Sequence, residues 1–219
     1  MALVSMLLVA ATGAPAVAQQ DEAARLEACI ARIDQDPENA YEDALAWMGK
    51  GARPGARQCT ALALIALGEE AEGAARLEQL ANDKDAGGLD ERGVYLAQAG
   101  NAWLLAGAPE AAVVTLTNAM KLRPRDGALR KDRARAYVMQ KKWDEAGKDL
   151  DAAIELSPGD AEALRLRAQA LMETGKLEDA WTDVSAAMKA APRDVEVLVL
   201  RGQVREAMRA KGMKDPEGL

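Results

Sequence analysis

The chain has 219 residues, 49% hydrophobic and 29% charged, a balance that suits a globular chain with a real core and neither a disordered nor a membrane-embedded one. A net charge of -7 argues against the broad basic surface that neutralises nucleic-acid phosphates, so no nucleic-acid partner is expected. There is no His, which removes imidazole bases, Ser–His and Cys–His nucleophile pairs and most zinc sites; with 3% aromatics and no Phe, Ala and Leu must build the core, which favours closely packed helices.

Met1 to Ala11 is apolar, Gly13 and Pro15 interrupt the run, and Ala16-Val17-Ala18 sets small residues ahead of Gln19-Gln20-Asp21. The layout resembles a secretory signal peptide over residues 1–18, cleaved near Ala18, although no Lys or Arg precedes the run. It predicts a periplasmic or secreted mature chain without an integral membrane segment, because the run is short and broken for a hydrocarbon core about 30 Å thick. No Cys stands at the cleavage site for lipid attachment. The mature chain keeps Cys29 and Cys59, which read either as a disulfide or as two small buried thiols. A crosslink over that span stabilises by about 3–4 kcal/mol in the chain-entropy view.

Within residues 19–92, four amphipathic helices are predicted at Asp21–Gln35, Glu38–Lys50, Ala56–Leu67 and Glu70–Ala81, separated by Pro37, the Gly49–Gly55 stretch and Gly68. Asn82 to Asp90 follows as a polar segment with Gly87-Gly88. Its Asp83-Lys84-Asp85 is similar to the start of a calcium loop but has no acid at the loop's end, so the segment reads as a flexible linker and the weakest joint of the chain.

From Gly93 onward the same residue kinds recur every 34 positions, giving units 93–126, 127–160 and 161–194. The eighth position holds Gly100, Ala134 and Ala168; the twentieth Ala112, Ala146 and Ala180; the twenty-seventh Ala119, Ala153 and Ala187; the thirty-second Pro124, Pro158 and Pro192. Bulky residues recur as Trp103, Tyr137 and Leu171 at the eleventh position and Leu116, Leu150 and Val184 at the twenty-fourth. Small side chains let two helices approach, bulky ones fill the space beside them, and Pro stops the second helix of each pair. Arg130 at the fourth position and Arg133 and Arg167 at the seventh depart from an apolar pattern; their stems are expected to pack with the guanidinium reaching solvent. Residues 195–211 continue the first-helix pattern as a capping helix whose polar Arg201, Arg205, Glu206 and Arg209 face water, and 212–219 is a tail.

This pattern, best seen in ALRLRAQALMETGKLEDAWTDVSAAMKAAP from Ala163 to Pro192, resembles the tetratricopeptide repeat family. The resemblance implies an all-α fold, a right-handed superhelical solenoid of antiparallel helical hairpins, with residues 19–92 as degenerate N-terminal repeat-like helical hairpins. It also implies a non-enzymatic adaptor that takes a partner protein or peptide in the concave groove lined by the first helix of each pair, with no cofactor, metal or small-molecule substrate.

The fifth and ninth positions of that helix lie on one face and give two ladders: Ala97, Lys131, Arg165 and Val199, and Asn101, Arg135, Gln169 and Gln203. Asn101, Lys131, Arg135, Arg165 and Gln169 are therefore the candidate partner-binding residues, a basic, amide-lined patch suited to carboxylates or backbone amides, which Asp132 and Glu162 are placed to neutralise in part. Some family members clamp a chaperone's terminal carboxylate with Lys, Asn, Asn, Lys and Arg. Here only Asn101 fits, and Ala97, Asp132, Glu162 and Leu166 occupy the other places, so that capture is not expected. Two further readings stand beside the adaptor: a carbohydrate-active or cell-wall-processing enzyme using a carboxylate pair, and a structural subunit of an envelope assembly, which predicts an exposed apolar patch.

Overall fold

The computed structural model describes residues 14–214, with side chains from Asp21 onward. Residues 1–13 of the expected leader, and the tail beyond residue 214, lie outside the described residues. The described chain is all helical, and its eleven helices are α1 (Ala14–Ile33), α2 (Pro37–Met48), α3 (Pro54–Ala66), α4 (Glu70–Asn82), α5 (Leu89–Leu105), α6 (Pro109–Leu122), α7 (Gly127–Met139), α8 (Trp143–Leu156), α9 (Ala161–Glu173), α10 (Leu177–Ala190) and α11 (Val195–Ala210).

Local chemistry sets most of these boundaries. Pro37, Pro54 and Pro109 open helices at the first position, where a missing N–H costs nothing. Asp126, Asp160 and Asp194, the last residue of each 34-residue unit, accept backbone N–H bonds from the first turn of α7, α9 and α11. The turn inside each hairpin needs one left-handed residue, which is Gly107 (φ 68) in the first unit and Gly175 (φ 79) in the third. The middle unit puts Lys141 there at φ 57, where its Cβ crowds the backbone.

Helices pack in sequence order as antiparallel pairs, α5 with α6, α7 with α8 and α9 with α10, and each pair leans on the next. At the eighth position of the first helix a Cβ on Gly100 would come within 2.5 Å of Leu116 Cγ, so the absence of a side chain is what lets α5 and α6 close up. Ala134 and Ala168 do the same with Leu150 and Val184, and all of these are fully buried. Each buried Leu contributes roughly 2 kcal/mol, and the clusters stay local to one or two neighbouring hairpins, as in a stack where each unit touches only its neighbours.

The N-terminal part is more regular than its sequence suggests. Counting Pro54 as a first position puts Ala61 at the eighth, Gly68 (φ 86) at the turn, Gly73 at the twentieth and Leu77 at the twenty-fourth. A Cβ on Gly73 would meet Ile65 Cγ1 at 2.5 Å and the Ala61 carbonyl oxygen at 2.7 Å, so α4 rests directly on α3. The pair is a hairpin of the same plan, followed by extra residues that delay the next unit.

Those extra residues, expected to form a loose linker, are pinned. Arg57 pairs with both Asp83 and Asp85, and Arg92 donates to the carbonyl oxygens of Ala81, Asp83 and Gly87. Ala86 is fully buried against Leu80, Ala81 and Tyr95. The two acids that suggested a calcium loop serve instead as anchors for a guanidinium, and α4 packs closely on α5 across the segment. Helix α1 also differs from expectation, beginning at Ala14 rather than near Asp21.

Candidate functional site

The first helices α5, α7, α9 and α11 touch one another in series, whereas α6, α8 and α10 make no comparable contacts among the described residues. The stack is therefore tighter along its first helices, which form an inner wall. The fifth and ninth positions lie on this wall, and the structure brings Asn101, Lys131, Arg135, Arg165 and Gln169 onto it in neighbouring helices.

Their charges are already engaged between helices. Asn101 on α5 donates to Asp132 on α7 at 3.0 Å. Lys131 on α7 meets Asp160 at 2.8 Å and Glu162 of α9 at 3.1 Å. Arg135 reaches Asn101 behind it, Asp132 on its own helix and Glu162 ahead of it. Arg165 on α9 meets Glu196 on α11 at 2.9 Å. The expected basic patch is thus a lattice of three cations and four carboxylates, Asp132, Asp160, Glu162 and Glu196, without a surplus of positive charge. The physical reason is that Asp160, the last residue of Lys131's own unit, and Glu162 and Glu196, at the second position of the helices that follow, sit one helix spacing from the cations, close enough to pair.

Protonation follows the same logic. Burial works against the charge on Lys131, but its bonds to Asp160 and Glu162 outweigh that and hold its pKa above the ordinary Lys value. Burial likewise opposes the charges on Asp160 and Glu162, yet Lys131 for the first, and Arg135 with Lys131 for the second, bring both below the usual carboxylate range. Asp132 is the exception. Burial dominates there, and Asn101, Arg135 and Lys131 offset it only in part, so its pKa is raised. The wall therefore offers amide and carboxylate hydrogen-bonding groups held in fixed positions, with Gln169 and the exposed Gln203 and Val199 continuing it toward α11.

A second set of charges was misjudged. The guanidiniums of Arg133 and Arg167 turn inward onto partners instead of standing in solvent: each forms a two-pronged pair with the acid sixteen residues later on its hairpin partner, Arg133 with buried Asp149 (2.7 and 2.7 Å) and Arg167 with buried Asp183 (2.7 and 2.8 Å). The remaining guanidinium nitrogen crosses to the preceding hairpin, Arg133 to Thr117 and Arg167 to Asp151. These pairs hold both guanidinium pKa values above the ordinary Arg value, the bonds to Asp149 and Asp183 being the largest cause. The first unit has Ala99 and Thr115 at the matching places, and Thr115 bonds instead to Glu78 of α4, which also accepts from Trp103 Nε1 at 3.1 Å. The signal was present in the sequence as two Arg–Asp pairs at one spacing.

Cys29 and Cys59 are joined in a disulfide, with Cα atoms 6.1 Å apart, tying α1 to α3 beside Trp47. Among the described residues no helix is long and apolar enough to cross a membrane.

Comparison with known proteins agrees with this geometry. The sequence model of the tetratricopeptide repeat family matches residues 98–161 and 131–195. No curated protein matches the chain. Among solved structures, the first TPR of Spaghetti (RPAP3), bound to HSP90 peptide SRMEEVD, is 25% identical over 55% of this chain and 95% of that one, with a TM-score of 0.53. The second TPR domain of human RPAP3, in complex with HSP70 peptide SGPTIEEVD, is 25% identical over 53% of this chain and 98% of that one, with a TM-score of 0.51. YrrB, described as a TPR protein with an unusual peptide-binding site, shares the fold at 18% identity over 82% of this chain and 88% of that one, with a TM-score of 0.62. Residues 98–195 of this chain are a tetratricopeptide repeat array, and on that span the chain belongs to the tetratricopeptide repeat family.

Proposed function

We propose that the protein is an adaptor without catalysis of its own, which holds an extended segment of a partner protein against the inner wall of α5, α7, α9 and α11. The carrying observation is the wall itself, where polar side chains at two fixed positions recur on consecutive helices and are locked by ion pairs before any partner arrives. Preorganised groups lose little freedom on binding, so they favour association. That the RPAP3 domains bind chaperone peptides supports a peptide as the ligand class. Their peptides end in EEVD, whereas Asp132 and Glu162 stand on this wall, so the segment bound here is read as neutral or of mixed charge and recognised largely through its backbone amides.

The setting we propose is the cell envelope. The leader-like residues 1–18 suggest it, and the Cys29–Cys59 disulfide supports it, since such bonds persist in oxidising compartments. Fractionation with N-terminal sequencing of the mature chain checks this, with Gln19 as the expected first residue and an uncleaved cytoplasmic chain as the contrary result. The carbohydrate-enzyme reading needs a proton donor of raised pKa beside a second carboxylate, and of the wall's acids Asp132 alone is shifted that way while the clamped Asp160 and Glu162 are shifted down.

The test is affinity capture from envelope extract with the wild type and with Gln169→Trp plus Gln203→Trp, a pair that obstructs the wall and leaves its ion pairs intact. Loss of the captured partner with an unchanged melting curve is expected. Full retention of every partner removes the inner wall as the site.

A further inference from the structure

The last described helix, α11, carries a face that the earlier hairpins cover. In α9, Leu164 at the fourth position and Ala168 at the eighth are buried in one cluster with Leu177, Ala180 and Val184 of α10. In α11 the matching residues are Leu198, 44% exposed, and Gly202, where a Cβ would meet nothing within 4 Å. Val195 extends the strip at 70% exposure. The opposite face of α11 does cap the stack, burying Val197, Leu200, Val204 and Met208 against α9 and α10. So α11 is the first half of a hairpin, complete in its pattern and, among the described residues, without a second helix on it.

The preceding hairpins say what fits there. The second helices α8 and α10 each bring a small residue, an acid, a branched aliphatic side chain and another small residue, in the order Ala146, Asp149, Leu150 and Ala153 in α8 and Ala180, Asp183, Val184 and Ala187 in α10. The aliphatic residue fills the notch at the eighth position, and the acid takes the seventh-position Arg in a two-pronged pair. In α11 the notch is Gly202 and the seventh-position residue is Arg201, whose guanidinium lies 5.3 Å from the centre of the Trp181 ring. A guanidinium serves several acceptors at once, as Arg167 does with Asp183 and Asp151.

We infer that the outer face of α11 is a second interaction surface, separate from the inner wall, and that it takes one amphipathic helix of a partner protein with an acid immediately before a branched aliphatic residue. The helix completes in trans the hairpin that α11 begins, its aliphatic side chain on Gly202 and between Leu198 and its neighbours, its carboxylate on Arg201. A second copy of this chain is the poorer occupant: its own helices of that pattern are buried in its hairpins, and pairing α11 with α11 sets Arg201 and Arg205 of each copy near those of the other.

The experiment uses the full chain and a fluorescent, lactam-bridged 14-residue peptide of the Trp143–Leu156 sequence as probe. Saturable binding is expected by anisotropy, weakened about tenfold or more by Gly202→Leu in the protein, and similarly by Asp149→Lys in the peptide. Gly202 lies exposed within a helix, so Leu there preserves the fold, which circular dichroism verifies. Absence of saturable binding, or equal binding to Gly202→Leu, overturns the inference. Concentration-dependent self-association that Gly202→Leu abolishes would assign the face to a second copy and overturn it as well.

Discussion

The two hairpins of residues 127–194 and the N-terminal helices α1 and α2 face one task, fixing a helix against its neighbours, and meet it by different means. The hairpins repeat one solution. Fully buried Ala residues bring the helices together, and an Arg–Asp pair at a constant spacing joins them and reaches back to the hairpin before. Helices α1 and α2 have no such pattern to reuse. Around them a small cluster of Leu26, Ala44, Trp47 and Ala56 is supplemented by a covalent link to α3, by Arg25 stacked over Trp47 and by an Arg53–Glu22 pair. Repetition lets non-covalent contacts be copied, and where the repeat fades a crosslink supplies the constraint.

Removing the crosslink should have the largest effect. Cys29→Ala with Cys59→Ala opens a loop of 30 residues' separation and is expected to cost about 3.5 kcal/mol in the chain-entropy view. Hydrogen exchange should rise in α1 and α2 and stay unchanged in α7 to α10; a uniform rise would show that the two regions are not independent. Next in size is Asp149→Ala, which strands the Arg133 guanidinium in a largely buried place and is expected to cost about 2–3 kcal/mol in denaturant unfolding. Replacing both partners, Arg133→Leu with Asp149→Leu, should recover most of that loss, because an apolar pair leaves no uncompensated charge. If the double variant is as unstable as the single one, the pair matters for more than its charge balance.

A smaller change tests how faithfully the hairpins repeat. Lys141→Gly gives the middle turn the residue its siblings have and should stabilise by about 0.5–1 kcal/mol, net of the extra freedom Gly brings to the unfolded chain. The smallest effect depends on pH. The folded-state pKa of Asp132 is raised, so the folded state binds that proton more tightly than the unfolded chain does. The cost of its charge is absent below the ordinary Asp value and grows as pH rises through the raised one. Asp132→Asn should therefore match the wild type in acid and exceed it at neutral pH. Melting curves across that range decide it, and a wild type that is the more stable at neutral pH would mean the ion pair with Arg135 outweighs burial.

The hairpins of residues 93–194 were legible in the sequence because their determinants are local: Gly, Ala and Pro at fixed places, and an Asp that caps the next helix. The α3–α4 hairpin was expected as a pair of helices, but its 34-residue register was hidden by the delay before Gly93 and by Leu80 at a place where later units have Ala. The ladder of fifth and ninth positions could be read from the repeat, but the pairing of its charges could not. Lys131 finds its partners 29 and 31 residues onward, and Arg135 finds one 27 onward, distances that only the stacking of one unit on the next converts into contacts. The Arg–Asp pairs stood in plain view at a spacing of sixteen; a long side chain at an apolar place looked like a solvated one until its partner was seen to be buried. The bare face of α11 has a similar origin, since a first-helix pattern implies a second helix and none follows it among the described residues.

The wall's ion pairs also limit how it can be probed. Charge reversal at Lys131 or Arg135 would set a further carboxylate among Asp132, Asp160 and Glu162 and drive α7 from α9, confusing binding with folding. A photo-crosslinking side chain avoids this. Placed at Gln169 on the inner wall in one variant and at Asn118, exposed on α6, in another, it should trap the partner from the first position and not from the second. Trapping from Asn118 with none from Gln169 would contradict the inner wall as the place where this protein holds its partner.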